Sequence, residues 1–259
     1  MFRDDPQTAG DPPARRPLPA RRIPAPRGGR PTRALEVQEA VKDIIVRRGL
    51  VPGDPLPTES ELIEELGISR NSVREALKAL QAVGIVDIRH GFGMFVGRLS
   101  LGGLVDELTF HTRIGPRDAL RNLMEIREVL ENGLAQRLID ECGGTDPAEV
   151  LTPVRDVIER MEAEAQVGVV SPETDRLFHD VLYQPLGNPL VGRLLGAFWE
   201  VYHQLRDDLG TPDETPADVA RTHRDIYTAV IAGDRAAVEA AMRAHFAGVR
   251  ARLARLDHD

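Results

Sequence analysis

The sequence predicts a mainly α protein in two parts: three helices closed by a β-hairpin, then an antiparallel all-α bundle. Three observations carry this. Two short helical patterns near the N-terminus are separated by a tight turn at Gly67. After Gly84 the apolar pattern switches to period two. From residue 104 onward it returns to spacings of three and four, and no strand pattern competes.

Residues 1–33 are rich in Pro, Arg and Gly and lack apolar periodicity, which predicts a disordered arm. Its eight arginines against three aspartates fit either contact with a phosphate backbone or a solvated tail. Helical periodicity starts at Leu35, with Val37, Val41, Ile44 and Ile45 on one face and Gly49 as the stop. The run from Val51 to Pro57 cannot be helical, because its prolines lack donors and restrict the residues before them.

Thr58 and Glu61 have capping-box spacing for a short helix carrying Leu62, Ile63 and Leu66, which ends at Gly67. Ser69 caps the next helix, with Val73, Ala76, Leu77 and Leu80 facing inward. Two short helices around a glycine turn form a helix-turn-helix. Ile85–Arg89 and Met94–Val96 then read as paired strands around a turn at His90-Gly91-Phe92-Gly93, which makes a wing.

The rest is predicted to be a helical bundle. Leu120, Leu123, Ile126, Leu130, Leu134 and Leu138 open it, and helical segments follow near 147–166, 172–184, 189–209, 216–232 and 234–256. The expected organisation is an arm over 1–33, a winged helix-turn-helix over 34–98, a linker with a first helix over 99–116, and the bundle over 117–259.

Composition narrows the class. With 42% apolar and 29% charged residues the chain falls among soluble globular proteins. One cysteine excludes an intrachain disulfide and fits a cytoplasmic location. No apolar run approaches the roughly 20 residues that span a bilayer, and no secretory leader pattern is present. The net charge of −8 hides an asymmetry: residues 1–100 hold 16 Lys/Arg against 13 Asp/Glu, and the remainder 17 against 28. A basic front and an acidic back fit a DNA reader joined to a domain that does not touch DNA.

Arg70, Asn71, Ser72, Arg74 and Lys78 occupy the exposed face of the second helix of the motif. Its N-terminus offers free backbone donors and a positive dipole end. Arginine there can pair with guanine O6 and N7 or grip phosphate. Solvated arginines are the ordinary alternative, and the wing and the Gly67 turn weigh against it.

The stretch Gly53-Asp54-Pro55-Leu56-Pro57-Thr58-Glu59-Ser60-Glu61-Leu62, then Leu66-Gly67-Ile68-Ser69-Arg70-Asn71-Ser72-Val73-Arg74-Glu75-Ala76-Leu77, closely resembles the GntR family of bacterial repressors. Gly91-Phe92-Gly93-Met94-Phe95-Val96 fits that family's wing. The resemblance implies operator contacts by Thr58, Arg70, Asn71, Ser72 and Arg74, with His90 and Gly91 at a wing tip near the minor groove. Ser60 departs from the pattern, since many relatives carry a basic residue there.

The helical half, opening with Leu123-Met124-Glu125-Ile126-Arg127-Glu128-Val129-Leu130-Glu131, resembles the FCD-type ligand-binding domain of the FadR subfamily. That resemblance implies a metal site made by Asp175, His179, His223 and His245. Asp175 and His179 share one helical face at i, i+4. Three imidazoles and a carboxylate suit zinc and also accommodate nickel or manganese. It further implies a small carboxylate metabolite as effector, with Arg127 facing it; the plain alternative for Arg127 is a salt bridge to Glu131 at i+4.

His111, His203 and His258 read as surface or packing residues, Trp199 as core, and Arg206 and Asn188 as structural. The implied function is a transcriptional regulator, a homodimeric repressor on an inverted-repeat operator. A metal-dependent enzyme with a DNA-binding appendage is the alternative, although the chain offers no spaced nucleophile–base pair or glycine-rich cofactor loop.

Overall fold

The computed structural model describes residues 30–115, 118–144, 146–209 and 214–256. The arm expected over 1–33 lies outside these residues up to position 29. The chain divides into two compact units between Ser100 and Leu101.

The first unit holds α1 (Arg30–Arg47), α2 (Glu59–Leu66), α3 (Arg70–Ala82), β1 (Val86–Arg89) and β2 (Gly93–Val96). Helix α1 begins ahead of Leu35, where the apolar pattern starts. Pro31 permits this, since a first-turn residue has no intrahelical use for its N–H. Thr58 and Glu61 form a full capping box on α2, and Gly67 closes that helix with φ 66° in the left-handed region. The Ser69 hydroxyl accepts from the Ser72 N–H at the head of α3. Val37, Val41, Ile44, Leu62, Val73, Leu77, Leu80, Val86 and Val96 form one buried core under the three helices and the hairpin.

The wing is antiparallel, with Val86 opposite Val96 and Arg89 opposite Gly93. The proline-rich run before α2 is not a free linker. Gly53 N donates to the Val96 carbonyl, Val96 N to Asp54 O, and Leu56 N to Met94 O, so the run lies along β2 as a third edge. At the base of the wing, a Cβ on Gly97 would lie 1.9 Å from the Gly84 carbonyl oxygen. Two backbones meet there with no room for a side chain.

Every regular element among the described residues of the second unit is helical. It comprises α4 (Gly102–Ile114), α5 (Asp118–Glu141), α6 (Pro147–Val150), α7 (Thr152–Gln166), α8 (Pro172–Leu182), α9 (Pro189–Leu205), α10 (Pro216–Ile231), α11 (Arg235–His245) and α12 (Ala247–Leu256), with short 3-10 turns at Cys142–Gly144, Gln184–Leu186 and Arg206–Leu209. Two segments expected to be continuous are broken, one at Leu151 and one at Phe246. Helices α9, α10, α11 and α12 pack against α5, while α7 and α8 pack on each other, α7 also on α10 and α8 on α9. Their shared core contains Leu138, Ile158, Met161, Phe178, Leu182, Leu195 and Ile226, all less than 3% exposed. Among the described residues no helix is long and apolar enough to cross a membrane.

Candidate effector pocket and nucleic-acid interface

Helix α8 begins with Ser171, whose hydroxyl accepts from the Thr174 N–H. Glu164, in the last turn of α7, accepts from Ser171 N at 2.8 Å and from Thr174 Oγ1 at 2.8 Å. Burial alone would raise the Glu164 carboxyl. These hydrogen bonds, with one from Arg160, instead hold it near a pKa of about 2. The anionic clamp fixes the start of the helix that carries Asp175 and His179.

His179, His223 and His245, from α8, α10 and α11, bring one ring nitrogen each within 4.8 Å of one another. Asp175 joins them, with Oδ1 3.1 Å from His223 Nε2. The four residues that the FCD resemblance implies as ligands therefore meet in space. Phe178 packs edge-on against both His179 and His223, at centroid distances of 5.2 and 4.7 Å.

Hydrogen bonds outside the cluster set the two buried rings. His179 Nδ1 lies 2.6 Å from Glu131 Oε2, and a carboxylate partner makes this nitrogen the donor. His223 Nδ1 donates to the Val219 carbonyl at 2.7 Å. In the neutral rings both Nε2 atoms then carry lone pairs, and both are buried without a hydrogen-bond partner. Two unsatisfied acceptors beside a carboxylate oxygen are costly unless a cation or proton joins them. Burial and then the neighbouring imidazoles push the His245 pKa well below its ordinary value, which favours the neutral form of this ring. Burial opposes ionisation of Asp175; a hydrogen bond and charge from His223, then charge from His179 and His245, act the other way when those rings carry a proton and lower its carboxyl well below the usual range.

Behind His179 lies a buried polar layer that the sequence did not disclose. Glu131 is fully buried, takes a hydrogen bond from Arg127 Nε at 2.7 Å, and accepts one from the Tyr183 hydroxyl at 3.3 Å. Burial would raise Glu131, yet His179 and Arg127 keep it ionised. The Arg127–Glu131 pair anticipated as an ordinary i, i+4 salt bridge thus exists, but at 6% and 0% exposure it is internal. It also supports a histidine of the cluster. No periodicity signals this link, because His179 is 48 residues from Glu131.

The cluster forms one wall of a cavity of about 710 Å³, which Asp175, His223, His245 and Arg127 all line. Asp175 and His245 are only half-buried. Trp199, which reads as core, is buried and also lines the cavity, and His203, which reads as a surface or packing residue, lines it too; the two stack on each other, centroids 4.6 Å apart and planes at 8°. Their i, i+4 spacing on α9 turns them to one side. Arg206 also lines the cavity, whereas Asn188 caps α9 by accepting from Leu190 N. Arg252, on α12, reaches across to the Tyr202 hydroxyl at 2.9 Å.

In the first unit, Arg70, Asn71 and Arg74 are exposed along α3 and Ser72 is half-buried. Thr58 is exposed, with its hydroxyl engaged in the α2 capping box. His90 and Gly91 are exposed at the wing turn, where Gly91 takes φ 79°. Arg74 Nε donates to Glu59 Oε2 at 2.9 Å, a bond that the sequence pattern did not reveal.

The profile described as "Bacterial regulatory proteins, gntR family" matches residues 33–96, and that of the FCD domain matches residues 122–248. The transcriptional regulator LutR of Bacillus subtilis is 30% identical over 205 residues, covering 77% of this chain and 91% of LutR. The chain belongs to the GntR family. It is a DNA-binding transcriptional regulator with an FCD domain behind its helix-turn-helix. The galactonate operon transcriptional repressor of Escherichia coli is 26% identical over 216 residues, covering 81% of this chain and 91% of that protein. A solved structure of Streptococcus agalactiae GntR has the same fold, with TM-score 0.59 and 24% identity over 84% of this chain and 99% of that one. These GntR-family relatives are transcription regulators, so the alternative reading as a metal-dependent enzyme is set aside.

Proposed function

We propose that this GntR regulator is a cytoplasmic homodimeric repressor whose affinity for an inverted-repeat operator is controlled by a small organic acid bound at a metal-containing pocket. The observation that carries the effector half is the pair of buried, unpartnered Nε2 atoms of His179 and His223, which adjoin His245, the Asp175 carboxylate and a cavity. That donor set fits a divalent metal, zinc first and nickel or manganese next. Asp175, His179, His223 and His245 would hold it. Glu131 and the Val219 carbonyl orient two of the rings through their far nitrogens. The metal supplies positive charge and open coordination positions for carboxylate or hydroxyl oxygens.

Arg127 adds a second charged partner for an effector carboxylate at the cavity wall. The galactonate operon repressor among the relatives fits an effector that combines a carboxylate with hydroxyls. On the DNA side, Arg70, Asn71, Ser72 and Arg74 face the major groove. Thr58 meets the backbone, and His90 and Gly91 reach the minor groove. An effector that binds one arrangement of the dimer better shifts operator affinity by linkage.

The test has two arms. Genomic fragments are selected with the wild-type protein and with Arg74→Ala; a shared inverted repeat recovered only by the wild type supports the DNA reading, and equal recovery by both overturns it. Metal content is then measured on wild type and His179→Ala. Loss of a stoichiometric divalent ion in the variant supports the pocket, and full occupancy removes His179 from it.

A further inference from the structure

Glu59 is an acidic residue on a surface that must approach a polyanion. It sits in the first turn of α2 and binds Arg74 of α3 through Nε, with the two side chains 37% and 54% exposed. An exposed ion pair of this kind contributes little to stability, because solvent screens it and two long side chains must be ordered. Its effect on the availability of Arg74 is larger. Among the described residues, the neighbouring cations Arg70 and Lys78 are exposed and carry no ion pair. Arg74 is the one basic side chain of α3 already provided with a counter-ion.

We infer that Glu59 is a specificity-determining residue: an internal competitor for Arg74 that suppresses binding to DNA lacking the operator. A phosphate reaching Arg74 must displace or share the Glu59 carboxylate, so a sequence-independent encounter gains less from this arginine than from a free one. With Nε occupied, the guanidinium keeps its terminal Nη1/Nη2 edge for DNA, and a site that places acceptors along that edge engages Arg74 without releasing Glu59. Correct DNA thus keeps the contact while random DNA loses most of it. The inference rests on the proposed placement of Arg74 at the DNA interface.

The experiment measures affinity for a random-sequence duplex and for the selected operator across a salt series, using wild type, Glu59→Gln, Arg74→Ala and the double variant. Glu59→Gln preserves shape and removes charge; thermal unfolding checks that each variant is folded. The expected result is about tenfold tighter binding of Glu59→Gln to the random duplex. Its log–log salt slope should steepen by about 0.9, one further phosphate contact. Operator affinity should change less, so the specificity ratio falls. In the Arg74→Ala background, Glu59→Gln should have none of these effects. An unchanged salt slope, or the same change with Arg74 absent, overturns the inference. Operator binding that is indifferent to Arg74→Ala alone would instead sink the underlying placement of Arg74.

Discussion

His223 Nε2 stands 3.1 Å from Asp175 Oδ1 while the same ring donates its other N–H to the Val219 carbonyl. In the neutral ring the lone pair of one residue therefore confronts the oxygen of the other. Holding the two together costs free energy, and a cation or proton between them would relieve it.

The first prediction concerns the metal-free protein in mild acid. Burial and the adjacent imidazoles hold His245 neutral in the fold, whereas the unfolded chain protonates it near its ordinary value of 6.5. The unfolded state then binds more protons, so stability is lost as pH falls below about 6.5. Urea midpoints of chelator-treated protein should be lower at pH 5.5 than at 7.5, and His245→Gln should shrink that difference. An equal pH difference in the variant would remove His245 as its source.

The second prediction tests the layer behind the cluster. Glu131→Gln keeps a hydrogen-bonding atom near His179 Nδ1 but removes the charge that orients the ring. Divalent-metal affinity, read by competition with a chromogenic chelator, should fall about 10- to 100-fold. Wild-type affinity in this variant would show that the carboxylate does not act on the ring.

Truncating the other member of the pair has a structural cost. Arg127→Ala leaves Glu131 buried and ionised without its guanidinium, which should destabilise the fold by about 3–5 kcal/mol in urea unfolding. A loss below 1 kcal/mol would mean that the pair is dispensable.

Acid sensitivity of a different kind belongs to Glu164. Its pKa lies near 2 against an ordinary 4.5, so its stabilisation is complete above about pH 4.5 and disappears as pH falls through about 2. Glu164→Gln should cost about 1–3 kcal/mol at neutral pH and flatten the acid limb of the stability curve. A variant with an unaltered acid limb would place that dependence elsewhere.

Much of this architecture was legible in the chain because it is encoded locally. Thr58 with Glu61, Gly67 and Ser69 mark helix ends within a few residues of themselves. The switch to period two after Gly84 likewise marks the wing. Asp175 and His179 were legible as a pair because i, i+4 is itself a helical neighbour relation. What stayed hidden depends on which elements pack together. Glu131 looked like a surface partner of Arg127 until α8 brought His179 against it. The cavity beside Trp199 and His203 was not legible, because periodicity cannot distinguish packed protein from a cavity wall. The break at Phe246 involves neither Gly nor Pro at that position, and the apolar pattern runs through it. Arg74 read as free because Glu59 lies on another helix.

The Phe246 junction has a practical consequence. His245 ends α11, and α12 then supplies Val249 and Arg252 to the cavity, with Arg252 fastened to Tyr202 on α9. Helix α12 is therefore a structural member of the cavity wall. A purification tag or reporter fused close behind Leu256 loads that member directly. Effector titrations made on such a fusion will report the mechanical condition of α12 together with the chemistry of the ligand.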